Sequence, residues 1–193
     1  MSGYWRELLG AVFGIVVGIA ATTAIVELLW MRQRGALTRP RVREMAMSLS
    51  VVPPNLVFSF ASAGIWTLLF TTAHALAPAQ LPVNAATVVL AMIAVDFSYY
   101  WEHRCAHRVP VLWRLYHAVH HSSPDYTVAT AYRVSFVNQL FSPAFYLPWM
   151  LVGLHPLLVV ALQLIAFHYQ AWLHTEAIGR LGWLDRWINT PAA

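Results

Sequence analysis

A series of uncharged apolar runs, each of the order needed to cross about 30 Å of hydrocarbon, sets the pattern of this chain. The first, residues 8–30, is interrupted only by Glu27 near its end and carries Gly10, Gly14 and Gly18 at four-residue spacing. Such a ridge lets two helices approach closely; packing within the chain is the simpler expectation, and contact between two copies the alternative. The second run, residues 49–72, has Pro53-Pro54 near its start, which predicts a break or kink there. Residues 73–86, with Pro78 and Pro82 and no formal charge, read as a short connection. A third span begins near Thr87 and runs to Tyr100 and Trp101, an aromatic pair suited to the membrane interface.

Beyond a histidine-rich stretch, apolar sequence resumes at Phe136 and divides at Gly153-Leu154-His155-Pro156 into limbs of residues 136–152 and 157–173, each near the minimum for a crossing. If both cross, the chain goes out and returns, and His174 comes back to the side that holds residues 103–121. In the last stretch, residues 178–188, Ile178, Leu181, Leu184 and Ile188 share a helical face opposite Arg180, Asp185 and Arg186, predicting a helix along the membrane surface. The expected fold is all-α: an integral membrane helical bundle of about four to five spans, with N-terminal spans over residues 1–84 and a second part over residues 85–193.

Composition agrees with lipid as the solvent, since 59% of residues are hydrophobic and 10% charged, against roughly half and a quarter in ordinary globular chains. The net charge of +4 does not point to nucleic acid. Arg32, Arg34, Arg39, Arg41 and Arg43 crowd one loop between apolar runs, a pattern that orients a membrane protein. The positive-inside rule places that loop and the histidine cluster in the cytoplasm and the N-terminus outside. The first run is too long for a signal-peptide core and reads as a retained span. A single cysteine, Cys105, fits a reduced compartment and an ordinary helical position.

Candidate chemistry resides in the histidines. His103 and His107 lie four residues apart, and on a helix continuing the third span they point from one face. Pro110 suits the first turn of a new helix, on which His117, His120 and His121 again converge. Imidazoles suit Fe, Zn, Cu and Ni rather than Ca²⁺ or Mg²⁺. His74, His155 and His168 have no partner at ligand spacing and read as bystanders. Asp96, two turns before His103, is the favoured acceptor for that ring's other N–H, and Gln170, one turn before His174, is a similar candidate with helix packing as its alternative.

Asp96-Phe-Ser-Tyr-Tyr-Trp-Glu-His103-Arg-Cys-Ala-His107, Leu112-Trp-Arg-Leu-Tyr-His117-Ala-Val-His120-His121-Ser-Ser and Thr130-Ala-Tyr-Arg133 resemble the first two histidine boxes of the fatty acid hydroxylase and sterol desaturase superfamily. Gln170-Ala-Trp-Leu-His174-Thr-Glu176 and Trp187-Ile-Asn189-Thr-Pro191 resemble the approach to its last box. The resemblance implies a membrane-bound non-haem di-iron oxidoreductase that uses O₂ to hydroxylate or desaturate a lipid C–H bond. It implies His103, His107, His117, His120, His121 and His174 as iron ligands, two irons in a complete site, and a separate electron donor of the ferredoxin or b-type cytochrome kind. It also implies a further histidine box after Pro191; the sequence stops at Ala193, so the expectation is an incomplete second metal site and a form inactive alone. The competing class is a non-catalytic membrane metal-binding or transport protein, which predicts polar residues at mid-depth in several spans.

Overall fold

Helix α1 (Gly3–Gln33) is apolar around its whole circumference and mostly uncovered: Phe13, Ile15, Val17, Ile25, Val26 and Leu29 all face outward. A helix of this kind has hydrocarbon as its solvent. Among the described residues it is one of two helices long and apolar enough to cross a membrane; the other is the continuous run Arg39–Ala75. The computed structural model describes residues 3–190, with no strand among them; Pro191, quoted in the last motif above, lies outside the described residues.

The second run comprises α2 (Arg39–Ser50) and α3 (Val52–Ala75), which meet at Val51. Pro53 and Pro54 sit in the first turn of α3, where a missing N–H costs nothing, so the predicted break falls just before them. Asn55 compensates: its backbone N–H and its side-chain amide both donate to the Val51 carbonyl, at 3.1 and 2.8 Å. Helix α4 (Ala85–Arg108) starts from a capping box in which Asn84 and Thr87 satisfy each other's backbone N–H groups, worth about 1 kcal/mol. After α4 come the short α5 (Pro110–Leu112), a π-helical turn (Trp113–His117), α6 (Ala118–His120), α7 (Val128–Ala131), α8 (Asn138–Phe141), a 3₁₀ turn (Ser142–Phe145) and α9 (Leu147–Leu151). Helix α10 (Pro156–Ala171) and a 3₁₀ turn (Gly182–Arg186) complete the described chain.

The core joins α3, α4, α9 and α10 through Phe70, Val95, Tyr146, Met150, Leu158 and Val159. Ala91 and Ala94, fully buried, let α4 and its neighbours approach closely. Helix α1 packs on α10 through Val12, Val16 and Ala161. Its glycines do not take part, because Gly10, Gly14 and Gly18 face outward with open space at each Cβ position. The expectation that this ridge packs within the chain is thus corrected: the bulkier valines supply the contact area.

Two further expectations change. The limb over residues 136–152 is a broken series of short turns instead of one helix, because Pro143 and Pro148 each interrupt the ladder. It descends alongside α3, as the contacts Asn55–Val134, Phe58–Phe136 and Trp66–Gln139 show. Non-helical backbone in a membrane bundle needs donors from the protein itself, and α3 provides them through the Asn55 amide to the Val134 carbonyl and the Trp66 indole to the Gln139 carbonyl. Residues 178–188 hold only the 3₁₀ turn, since Gly182 adopts φ +71° and the Asp185 carboxylate accepts the Leu181 N–H and the Thr190 hydroxyl, stabilising a compact loop in place of the surface helix.

At the end of the limb Gly153 adopts φ +102°, and an added Cβ would lie 2.0 Å from the Ala79 carbonyl oxygen, on a loop whose Leu81 N–H donates to the Gly153 carbonyl. Neither backbone can yield. Gly153→Ala is expected to destabilise the fold by on the order of 2 kcal/mol or more, whereas Gly10→Ala, with free space, is expected to be neutral or stabilising by up to about 1 kcal/mol. Thermal unfolding of the two variants in detergent checks the contrast.

Candidate metal centre

Two local features deliver the histidines. Helix α4 continues without a break to Arg108, so His103 and His107 project from one face, one turn apart. Val109 is then extended, as the residue before a proline tends to be, and Pro110 opens a second helical run that turns back on the first. The π-helical turn carries Tyr116 and His117 side by side, both buried, and His121 follows one turn later. Widened turns of this type recur at functional sites because they re-aim side chains that an α-helix would direct elsewhere.

The resulting geometry is tight. Nε2 of His107 lies 3.1 Å from that of His103 and 3.0 Å from that of His117, which is in turn 3.1 Å from Nε2 of His121. The four candidate ligand atoms all fall within 4.8 Å of one another. Two ligand nitrogens held at about 2.1 Å from one cation are separated by about 3.0 Å at a right angle and about 3.4 Å at a tetrahedral angle, so the spacing fits one ion. Hydrogen bonding alone does not account for it. Each ring nitrogen has a single in-plane direction, yet Nε2 of His107 and of His117 each face two neighbours. A second locus lies alongside, where Nε2 of His174 is 3.2 Å from that of His120.

The opposite ring nitrogens are anchored. His174 Nδ1 donates to the main-chain carbonyl of Gln170 at 2.9 Å, which leaves the lone pair on Nε2. His103 Nδ1 is 3.2 Å from the Tyr99 hydroxyl, one turn earlier on α4. Asp96, the expected acceptor, is exposed. Gln170 orients His174 through its backbone, so its side chain is free to line the adjoining cavity. Tyr99 differs from the neighbouring aromatic pair Tyr100 and Trp101: it is half-buried and faces the site, while they are exposed. Its position four residues before His103 is the signal that would have found it. Trp113 shields the exposed side, stacked on His121 at 5.4 Å.

His74 and His155 meet at the far end of the bundle, their rings 5.5 Å apart, with Trp5 stacked on His155 at 4.2 Å. His168 donates from Nδ1 to the Leu164 carbonyl at 2.8 Å and joins neither cluster. A cavity of about 500 Å³ opens from His103, His117, His120 and His174 towards Val52, Leu56 and Phe167. Among the described residues its wall holds no Lys or Arg, and its one carboxylic acid is Glu102, buried beside Tyr116.

The fatty acid hydroxylase family model matches residues 88–193, more than half of the chain and all the histidines above except His74. The chain belongs to the fatty acid hydroxylase family. Within that family it is similar to alkylglycerol monooxygenase from Xenopus tropicalis, 46% identical over 105 residues that make up 53% of this chain and 23% of the relative. The enzyme of the same name from Danio rerio is 37% identical over 140 residues, covering 72% of this chain and 30% of the relative. An ornithine lipid hydroxylase from Rhizobium tropici is 32% identical over 115 residues, 59% and 34% respectively. The chain therefore spans about a quarter to a third of the length of these curated fatty acid hydroxylase relatives. No solved structure matches it.

Burial, reinforced by neighbouring imidazoles, pushes His117 down to about 3 and His120 to about 3 and lowers His121 in the same way, while burial lowers His174 against the opposing pull of its hydrogen bond to the Gln170 carbonyl. The rings are thus neutral and ligand-ready at physiological pH. Because the folded values lie below the unfolded value of about 6.5, stability present above pH 6.5 is lost as the pH falls towards 3. At pH 5 the metal-free protein is expected to lose up to about 2 kcal/mol from His117 alone. Thermal midpoints of the metal-free protein should fall as the pH drops from 7 to 5, and saturating Co²⁺ should raise them throughout without flattening the fall, because metal-bound rings in the folded state take up no protons either.

Proposed function

We propose that the chain carries the metal-binding core of a membrane-bound, O₂-dependent non-haem iron oxidoreductase that hydroxylates a C–H bond of a neutral lipid. The observation that carries this reading is the four-imidazole cluster opening directly onto a largely apolar cavity with no cationic side chain in its wall. His103, His107, His117 and His121 would hold one iron, and His120 and His174 would contribute to a second. Relatives named as an alkylglycerol monooxygenase and an ornithine lipid hydroxylase support the same class of reaction.

When bound, the iron supplies O₂ reduction: one O₂, two electrons and two protons convert a lipid C–H to C–OH and release one water, the electrons arriving from a separate carrier such as a ferredoxin or b-type cytochrome. The residues of this chain perform the remaining tasks. Tyr99 and the Gln170 carbonyl fix the Nδ1 side of His103 and His174 so that Nε2 stays available. Val52, Leu56, Leu164 and Phe167 line the cavity, where they exclude water and align an alkyl chain against the histidines. With the alkyl chain laid against the histidines, the headgroup lies in the part of the cavity away from the metal, where no cationic side chain meets it, so a neutral headgroup fits better than a carboxylate anion.

The topology in this reading places the histidines at the cytoplasmic edge of the bilayer and the N-terminus outside. Support comes from Arg41, on the arginine-rich first turn of α2 that stands in place of the expected loop, which pairs with Glu176 and Asp125 at the histidine end, and from Trp5, which lies with His74 and His155 at the other. The outward ridge of Gly10, Gly14 and Gly18 is the surface on which a second copy would pack.

Iron-loaded protein given a reductant and O₂ tests both expectations: absence of turnover upholds a form inactive alone, and turnover, if seen, is expected to favour a long-chain alkylglycerol over the matching free fatty acid by at least ~10-fold. His117→Ala is expected to weaken iron binding at the four-imidazole site, and to lower any turnover, by more than about 100-fold, and His74→Ala to leave both within about twofold. Product analysis by mass spectrometry together with metal content decides. Iron content and turnover that survive in His117→Ala would refute the assignment.

A further inference from the structure

A carboxylate near the end of an otherwise apolar helix is costly unless donors serve it, and Glu27 on α1 is only 3% exposed. Its donors come from far along the chain. The Val128 N–H lies 2.9 Å from Oε2 and 3.1 Å from Oε1, and the Thr175 hydroxyl donates to Oε1 at 2.6 Å. Val128 opens α7 at the end of the loop that leaves His121, and Thr175 directly follows His174. One buried carboxylate therefore ties together the two loops that flank the His120–His174 pair, and it belongs to a helix outside the residues matched by the family model.

The pair needs such a tie more than the four-imidazole cluster does. His103 and His107 are fixed by a continuous helix and His117 by the π-helical turn packed against it. His120 shares the helical run Pro110–His120 with His117, but His174 lies beyond the end of α10 with no helix to hold it, so the pair depends on what fixes the His174 loop against the loop that leaves His121. Other links join the same loops: Tyr126 donates to the Leu173 carbonyl at 2.8 Å, with its ring against His174, and Arg41 bridges Glu176 at 2.9 Å and Asp125 at 3.5 Å. These lie nearer solvent, where screening weakens them, so the buried hydrogen bonds to Glu27 dominate.

We propose that Glu27 is a positioning residue for the His120–His174 pair, which makes the N-terminal helix a working part of the second metal locus. The proposal rests on the reading of that pair as metal-binding. A glutamine at position 27 offers one accepting oxygen where two donors converge and turns its own NH₂ towards one of them. The loops then separate, and the four-imidazole cluster keeps its geometry.

Hydrogen exchange and Co²⁺ titration on the detergent-purified protein test this together. In Glu27→Gln, peptides over residues 122–131 and 173–177 are expected to exchange ~10-fold faster while those of α4 are unchanged, and the weaker class of Co²⁺ sites should lose ~10-fold or more in affinity, with the tighter class within ~2-fold. Thr175→Val should reproduce both effects and Thr175→Ser should restore the wild-type values, which keeps the test decisive if Glu27→Gln does not fold. Unchanged exchange in these loops, or equal loss from both Co²⁺ classes, overturns the proposal. Wild-type protein that binds no Co²⁺ would refute the proposed metal function, and the exchange of the two loops would still judge the tether.

Discussion

Four imidazole nitrogens held 3.0–3.1 Å apart in sequence cannot all be satisfied by protons shared among themselves, and that constraint organises the rest of the molecule. A single cation answers all four lone pairs at once, at a spacing suited to right-angled ligands about 2.1 Å from the ion. Packing has to hold these rings together without the ion, and burial keeps them neutral, as the lowered affinity of His117 and His120 for protons reflects. The unbroken α4, the proline-initiated run after it and the π-helical turn all meet this requirement.

Much of the site was legible in the sequence because its signals are local. The spacing of His103 and His107 needed only a helix, and the histidine-box strings in register identified the family that the comparison of residues 88–193 shows. The out-and-return path was also legible in outline, since the loop at Ala79–Leu81 meets Gly153 at one end of the bundle and His174 meets His120 at the other. What stayed hidden depends on contacts distant in sequence. The limb over residues 136–152 looked like a helix by hydropathy, but Pro143 and Pro148 break it and α3 supplies donors to the exposed carbonyls. Asp96 seemed the natural partner of His103 because carboxylates are costly in membranes, yet it is exposed, and Tyr99 is nearer.

The N-terminal helices do more than anchor the chain. Helix α3 walls the cavity through Val52, Asn55 and Leu56 and stabilises the irregular limb opposite. Helix α2 contributes Glu44 and Ser48, which hold Arg133 of the third quoted motif. Helix α1 brings Glu27 to the loops behind His120 and His174. Residues outside the family match thus shape a site whose histidines all lie within it.

X-ray absorption at the iron edge of the iron-loaded, reduced protein tests the central claim most directly. A nitrogen shell at about 2.1–2.2 Å with the outer-shell scattering of about four imidazoles per tightly bound iron is the predicted result. An oxygen-dominated shell lacking imidazole scattering would contradict it.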